Sequence, residues 1–343
     1  MSDVEALMRE CAPGTGLAYQ LEPFAREGSL KHRLARSPLI MAPMAGVSDA
    51  AYRIMARAGG AGLAYTEMVS VAGLHYRSAK TWDLVVPDAF EPDVAVQLFG
   101  SDPEQFREAV GKVQERLGAR LALIDVNMAC PVPKVTKGGA GAGLLDDPSR
   151  AAEIVRACVA EADVPVTVKI RRGRMTGDDV SVPFARVLED AGASAVAVHG
   201  RFASQLYRGE ADWDVVSHVV CALDIPVIGS GDVRDHAAAT RMLDETGCAA
   251  VMVARGTYGN PWVFGDMVPA TAQRLAAFSC HVRLLDATGA HMARARSLAG
   301  WYLRGLPHAA SWRNRAMGCV TVGDYLRLAD DLMARARDEG IVS

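Results

Sequence analysis

The run LALIDVNMACPVPK, Leu121 to Lys134, passes from an apolar strand to a polar loop within a few residues. LALIDVNMA reads as a strand interior, with Asn127 near its C-terminal end and Cys130 just beyond it. Pro131 and Pro133 stop the strand and stiffen its exit. An amide and a thiol fixed at a strand end suit an active site better than a core. The plainer reading makes Cys130 one more small apolar residue at a loop edge. The neighbouring segments decide between the two.

Similar runs lie on both sides. Upstream are PLIMAPMAG (Pro38–Gly46), GLAYTEM (Gly62–Met68) and VAVQLFG (Val94–Gly100). Downstream are PVTVKI, AVAVHG, PVIGSG and AAVMVAR, beginning at Pro165, Ala195, Pro226 and Ala249. Helical spacing fills the intervals. VSDAAYRIMARAGG is opened by Ser48 and closed by Gly59-Gly60, and Ser101 with Glu104 forms a capping box for the helix that follows VAVQLFG. Eight strands, each followed by a helix and apolar on both faces, predict a parallel (β/α)8 barrel over residues 37–269. An open doubly wound sheet is the competing architecture, and eight regular repeats favour closure. Beyond Pro269 the helical runs around FSCHVRLLDATG, HMARARSLAGWYLRG, HAASWRNRAMG and VGDYLRLADDLMARARDEG predict a small all-α bundle over 270–343. Residues 1–36 lack strong periodicity and are expected to form an arm or a short helix across the barrel bottom.

The chain has 343 residues, half of them hydrophobic, enough for a sizeable core. No segment is long and apolar enough to cross a bilayer, and the N-terminus lacks a basic-then-apolar pattern, so the expected location is cytoplasmic. Seven scattered cysteines without a close CxxC pair indicate neither zinc nor a disulfide framework. A net charge of -3 argues against a general nucleic-acid binder. Charge is uneven, however. From Thr271 onward there are ten Arg, no Lys and six acidic residues, a basic tail on an acidic body that allows an anionic partner.

In such a barrel, chemistry sits at the C-terminal ends of the strands. Those ends carry Met44, Gln97, Asn127 then Cys130, Lys169 and Arg171, and His199 and Arg201. Polar groups at so many equivalent positions have no packing rationale, since unpartnered burial costs several kcal/mol, on the order of 2–7 each. The last two strands end in GSGD (Gly229–Asp232) and ARG (Ala254–Gly256), small-residue turns at the habitual phosphate position of this fold, with Arg255 beside them. A phosphate there leaves the rest of the ligand over the barrel mouth. Gln97 and Asn127 can hydrogen-bond the amide edge of a heterocycle, and Lys169 can stabilise negative charge on it, as on reduced flavin. No GxGxxG fingerprint follows the first strand, so FMN fits better than FAD or a tightly held nicotinamide.

With these residues laid out, the chain from about Pro38 onward resembles the tRNA-dihydrouridine synthases. The matching segments are APMAGVSDAAYR, VQLFG, DVNMACPVPKV, GAGLL, VKIRRG, VHGR, the spaced Gln205–Trp213 stretch, GSGD and ARGTYGNPW. The resemblance implies an FMN barrel followed by a helical tRNA-binding domain. It implies that NADPH reduces the flavin, which then reduces the carbon 5–carbon 6 double bond of a tRNA uridine. Pro43, Met44, Ala45 and Gln97 match flavin-binding positions, and Lys169 and His199 match groups along the isoalloxazine. Ser230, Gly231, Asp232, Ala254 and Arg255 match the ribityl-phosphate end. Asn127 and Arg171 match substrate-side positions, and Cys130 matches the general acid that protonates carbon 5. A monomer without metal or membrane association is expected.

The chain departs from the family pattern at Phe202-Ala203, after VHGR, and at Arg296-Ser297-Leu298, before Trp301-Tyr302. Both departures are expected to remove positive charge or hydrogen-bonding capacity from an RNA-facing side. Two other functions compete: an FMN barrel reductase of a small pyrimidine or enone, and a non-catalytic RNA-binding protein. Retention of Cys130 and Lys169 weighs against the latter.

Overall fold

The computed structural model describes residues 2–341. Eight parallel strands form one sheet: β1 (Leu39–Met41), β2 (Val69–Ser70), β3 (Val94–Phe99), β4 (Leu121–Met128), β5 (Val166–Arg171), β6 (Ala195–His199), β7 (Val227–Ser230) and β8 (Ala250–Val253). Their order is β1-β8-β7-β6-β5-β4-β3-β2. The ring closes through Leu63–Tyr65, where Met41 pairs with Ala64 and Tyr65 with Ala95. The expected (β/α)8 barrel, followed by helices, is what the chain forms.

Strand alternation sorts the side chains into two cores. Val96, Ile124, Val126, Val168, Ile170, Val196, Val198 and Val251 pack outward against the surrounding helices. Their neighbours Ile40, Ala95, Leu123, Ala195, Ala197, Ile228, Ala250 and Met252 form a separate cluster in the lumen. Gln97, Asp125, Asn127, Thr167, Lys169, Arg171, His199 and Ser230 share that inward parity. Register sets them side by side: Gln97 with Asp125, Asn127 with Lys169, Arg171 with His199, and His199 with Ser230.

One expectation changes. The second strand, read as Gly62–Met68, is held in the ring by two isolated bridges, and regular pairing falls later, at Val69–Ser70 against Leu98–Phe99. Gly62 explains part of this. A Cβ there would lie 2.2 Å from that of Ser37, so the chain passes too close to its neighbour for an ordinary strand residue.

The N-terminal residues hold two helices, Asp3–Thr15 and Leu30–Arg36. The shorter helix places Leu30 and Leu34, with Phe24, in the lumen cluster, the short-helix alternative anticipated for the barrel bottom. The longer one packs Val4, Leu7, Met8 and Ala12 into the outer core, against helix Thr271–Ala287.

After β8 the four long helices are Thr271–Ala287, Arg294–Tyr302, Ala309–Met317 and Val322–Asp338, close to the four helical runs of the sequence. Phe278, Tyr302 and Tyr325 are buried among them. Arg294 ties the group to the first barrel loops through Asp49 and Glu67, each at 2.8 Å. No helix is long and apolar enough to cross a membrane among the described residues.

Candidate active site

Two cavities of about 350 and 580 Å³ adjoin at the C-terminal mouth of the barrel. They share His199, Tyr207, Ser230, Ala254, Arg255 and Tyr258. The first also receives Pro43, Met44, Ala45, Asn127, Cys130, Lys169 and Arg171; the second receives Gly231 and Asp232. Of the fourteen sequence-predicted site residues, only Gln97 lines neither.

Gln97 lies beneath the floor, fully buried. Its Nε2 donates to Asp125 at 2.6 Å, and its Oε1 accepts from Asn127 Nδ2 at 2.7 Å. Asn127 Oδ1 accepts from the backbone N–H of Cys130 at 2.9 Å. The Cys130 carbonyl accepts from Ala142 N–H, also at 2.9 Å. Gly141 permits that approach: its φ is +57°, and a Cβ would stand 2.8 Å from the Cys130 oxygen. Pro133 opens a short helix, Pro133–Thr136, where its missing N–H costs nothing. The half-buried thiol is therefore held by its own backbone on both sides.

The adjacent wall, on β5, is cationic. Burial, helped by neighbouring Arg171, lowers Lys169 to about 8. Its ammonium makes no hydrogen bond or ion pair among the described residues. Burial lowers Arg171 to about 10. Its guanidinium donates to the carbonyls of Ala129, Phe202 and Leu206 at 2.9–3.1 Å. Arg171 thus shapes the wall as much as it faces the cavity. His199 is pushed well below its ordinary value, first by burial and then by Lys169 and Arg171, so the ring is neutral at pH 7. Its ring makes no hydrogen bond among the described residues.

The turn after β7 is tightly determined. Gly231 has φ +122°, and a Cβ there would come within 2.6 Å of that of Ala211. Asp232 is left-handed at φ +55°. Its carboxylate takes two bonds from Arg201 at 2.7 and 2.9 Å, one from Ala211 N–H at 2.8 Å and one from Arg255 at 3.1 Å. Asp232 therefore braces the turn, and Arg255 is the group left reaching outward. Arg201 is almost wholly buried, and its place at a strand end was the sequence signal for it.

Sequence reasoning missed three groups. Tyr207 stands between Arg171 and Arg255, 4.9 Å from the latter, and is 58% exposed. Tyr258 stacks on Trp301 from the helical segment at 4.1 Å. Asp125 receives the Gln97 amide. The first two sit inside quoted segments, but nothing in their spacing marks a cavity wall. The departures divide: Phe202, Ala203 and Leu298 are buried, whereas Ser297 is exposed, as expected for a surface position. The Phe202 ring lies 4.7 Å beneath the Arg172 guanidinium. The three buried positions therefore remove no charge from a solvent-facing surface.

Residues 40–337 match the family model described as dihydrouridine synthase. A probable tRNA-dihydrouridine synthase of Treponema pallidum is 35% identical over 89% of this chain and 98% of its own length. A tRNA-dihydrouridine synthase B of Pseudomonas aeruginosa is 35% identical over 80% and 86%, and one of Xanthomonas axonopodis pv. citri is 37% identical over 81% and 88%.

Proposed function

As the chain belongs to the dihydrouridine synthase family, we propose that it is an enzyme that reduces uridines of tRNA to 5,6-dihydrouridine, with FMN as cofactor and NADPH as reductant. The observation that carries this reading is the placement of Cys130 and Lys169 on one cavity at the barrel mouth.

The residues suit FMN. Lys169 is a largely shielded cation without a hydrogen-bond or ion-pair partner among the described residues, and Gly231, bare of a side chain, lets the turn beside the cavity pass close against Ala211 and His199. Lys169 would face the pyrimidine edge of the ring, where its charge opposes negative charge. Ser230, Gly231 and Ala254 would hold the phosphate end with Arg255, while Asp232 keeps the turn in shape. Pro43, Met44 and Ala45 would flank the ring, and neutral His199 would lie along it. When bound, FMN supplies a hydride to carbon 6 of the uracil. Cys130 gives the proton to carbon 5, and Asn127 fixes the loop that carries the thiol. Arg171 borders the substrate side.

The helical segment supports tRNA as the partner. Trp301 and the exposed Arg304 wall the second cavity, so a polynucleotide lying across these helices reaches the site. Nucleoside mass spectrometry of tRNA from a deletion strain tests the proposal: dihydrouridine should fall at specific positions and return on complementation. Unchanged dihydrouridine in a strain without a redundant enzyme would reject it. Rapid flavin reoxidation by free pyrimidine, with no response to tRNA, would assign the small-molecule reductase instead.

A further inference from the structure

We propose that Asp125, inside the barrel, is a positioning residue for Cys130 and acts through the amides of Gln97 and Asn127. The role assigned to the thiol rests on the proposed uridine reduction; the hydrogen-bonded chain does not. Asp125 and Gln97 are fully buried and Asn127 is 4% exposed, so these groups find their partners inside the protein; Asn127 Oδ1 also accepts from Ala129 N–H at 3.2 Å, and its Nδ2 lies 3.3 Å from Met68 Sδ.

The polarity of the chain is fixed at both ends. The Cys130 N–H can only donate, which turns Asn127 Oδ1 toward it. Asn127 Nδ2 must then donate to Gln97 Oε1, and Gln97 Nε2 to a pure acceptor. The Asp125 carboxylate is that acceptor. Its second oxygen takes the Thr167 hydroxyl at 2.6 Å. A free amide can rotate by half a turn; here either rotation would set donor against donor and acceptor against acceptor. One layer below, the same lumen is filled by Leu123, Ala195 and Ile228. A carboxylate at 125 therefore has no packing purpose, yet it orients both amides and hence the loop bearing the thiol. Burial pushes Asp125 up to about 6, against the hydrogen bonds from Thr167 and Gln97 and the nearby Lys169. It remains mostly an anionic acceptor at pH 7.

The test is peptide-level alkylation by iodoacetamide of the full-length protein as purified, read by mass spectrometry. In Asp125→Leu, Cys130 should react about tenfold faster, the equivalent of one buried hydrogen bond lost. Cys158 and Cys248, both buried, should stay protected. Asp125→Asn should bring the Cys130 rate back to within about twofold of wild type, since its oxygen still accepts from Gln97. With tRNA, kcat should fall in Asp125→Leu and recover in Asp125→Asn while KM holds. An unchanged Cys130 rate in Asp125→Leu overturns the proposal. So does an equal rise at Cys158 and Cys248, which would show general loosening, or an Asp125→Asn variant no better than leucine. If Asp125→Leu does not fold, Gln97→Leu cuts the chain one link nearer the thiol, and the same outcomes apply. Should the wild-type protein reduce no uridine, the functional reading falls while alkylation still decides the chain.

Discussion

The two ends of the barrel are built from the same strands and the same alternation, yet they are opposite in character. At the bottom the lumen is filled by Ile40, Leu63 and Leu123 and plugged by Phe24 and Leu34. At the mouth the inward positions hold Lys169, Arg171, His199 and Ser230, and Lys169 has no partner among the described residues. The bottom gains stability by excluding water. The mouth gives stability up, because it keeps a desolvated cation that no direct ion pair offsets. That contrast marks the mouth as a place shaped by a ligand.

Breaking the mouth should hurt function far more than folding. Cys130→Ala should slow tRNA uridine reduction by about 10²–10⁴-fold, the usual contribution of a positioned acid. Flavin reduction by NADPH should persist in the same stopped-flow experiment; equal loss in both half-reactions would remove Cys130 from the acid role. Breaking the bottom should do the reverse. Leu34→Ala should cost about 2–5 kcal/mol in urea unfolding, because a buried leucine leaves a cavity, while FMN affinity at low temperature stays at wild type.

The cation offers a sharper contrast. Lys169 has a folded value, about 8, below its ordinary 10.5, so its favourable contribution is complete above 10.5 and is lost as pH falls through 8. Lys169→Met should therefore stabilise the flavin-free protein near pH 7 and lose that advantage near pH 10.5. The full shift corresponds to roughly 3 kcal/mol; residual solvent access to the side chain reduces the expected gain to about 1–2 kcal/mol. Paired urea melts at the two pH values check it, and flavin binding should weaken in the same variant. The smallest effect belongs to the rim. Arg304→Ala should weaken tRNA binding by about two- to fivefold and lower the salt slope by about one, readable by filter binding at several salt concentrations.

The barrel was legible because β4 to β8 are apolar runs buried on both faces, a pattern that parallel sheets require. The second strand was legible in place but not in extent: the run Gly62–Met68 enters the ring through two isolated bridges, and regular pairing falls just beyond it. Helix Asp3–Thr15 does carry a stripe, Val4, Leu7, Met8 and Ala12, but Pro13 and the short span hide it. At the mouth, residue type and strand-end position were enough to bring Cys130, Asn127, Lys169 and Arg255 to one place. Depth was not readable. Gln97 and Asp125 share the inward parity of Lys169, and only the register of neighbouring strands shows that they lie under the floor. Likewise, nothing in the sequence shows that the carboxylate of Asp232 is held by Arg201.

The docking of helix Asp3–Thr15 on helix Thr271–Ala287 brings the two ends of the chain together, with Arg283 donating to Glu10 at 2.8 Å across 273 positions. On the ribosome the first of these helices must wait for the second. At about 5–20 residues per second the wait is roughly 15–55 s, throughout which Val4, Leu7, Met8 and Ala12 have no native surface to cover them. A helix made this early is thus among the last to dock, and until then it is a natural foothold for a chaperone.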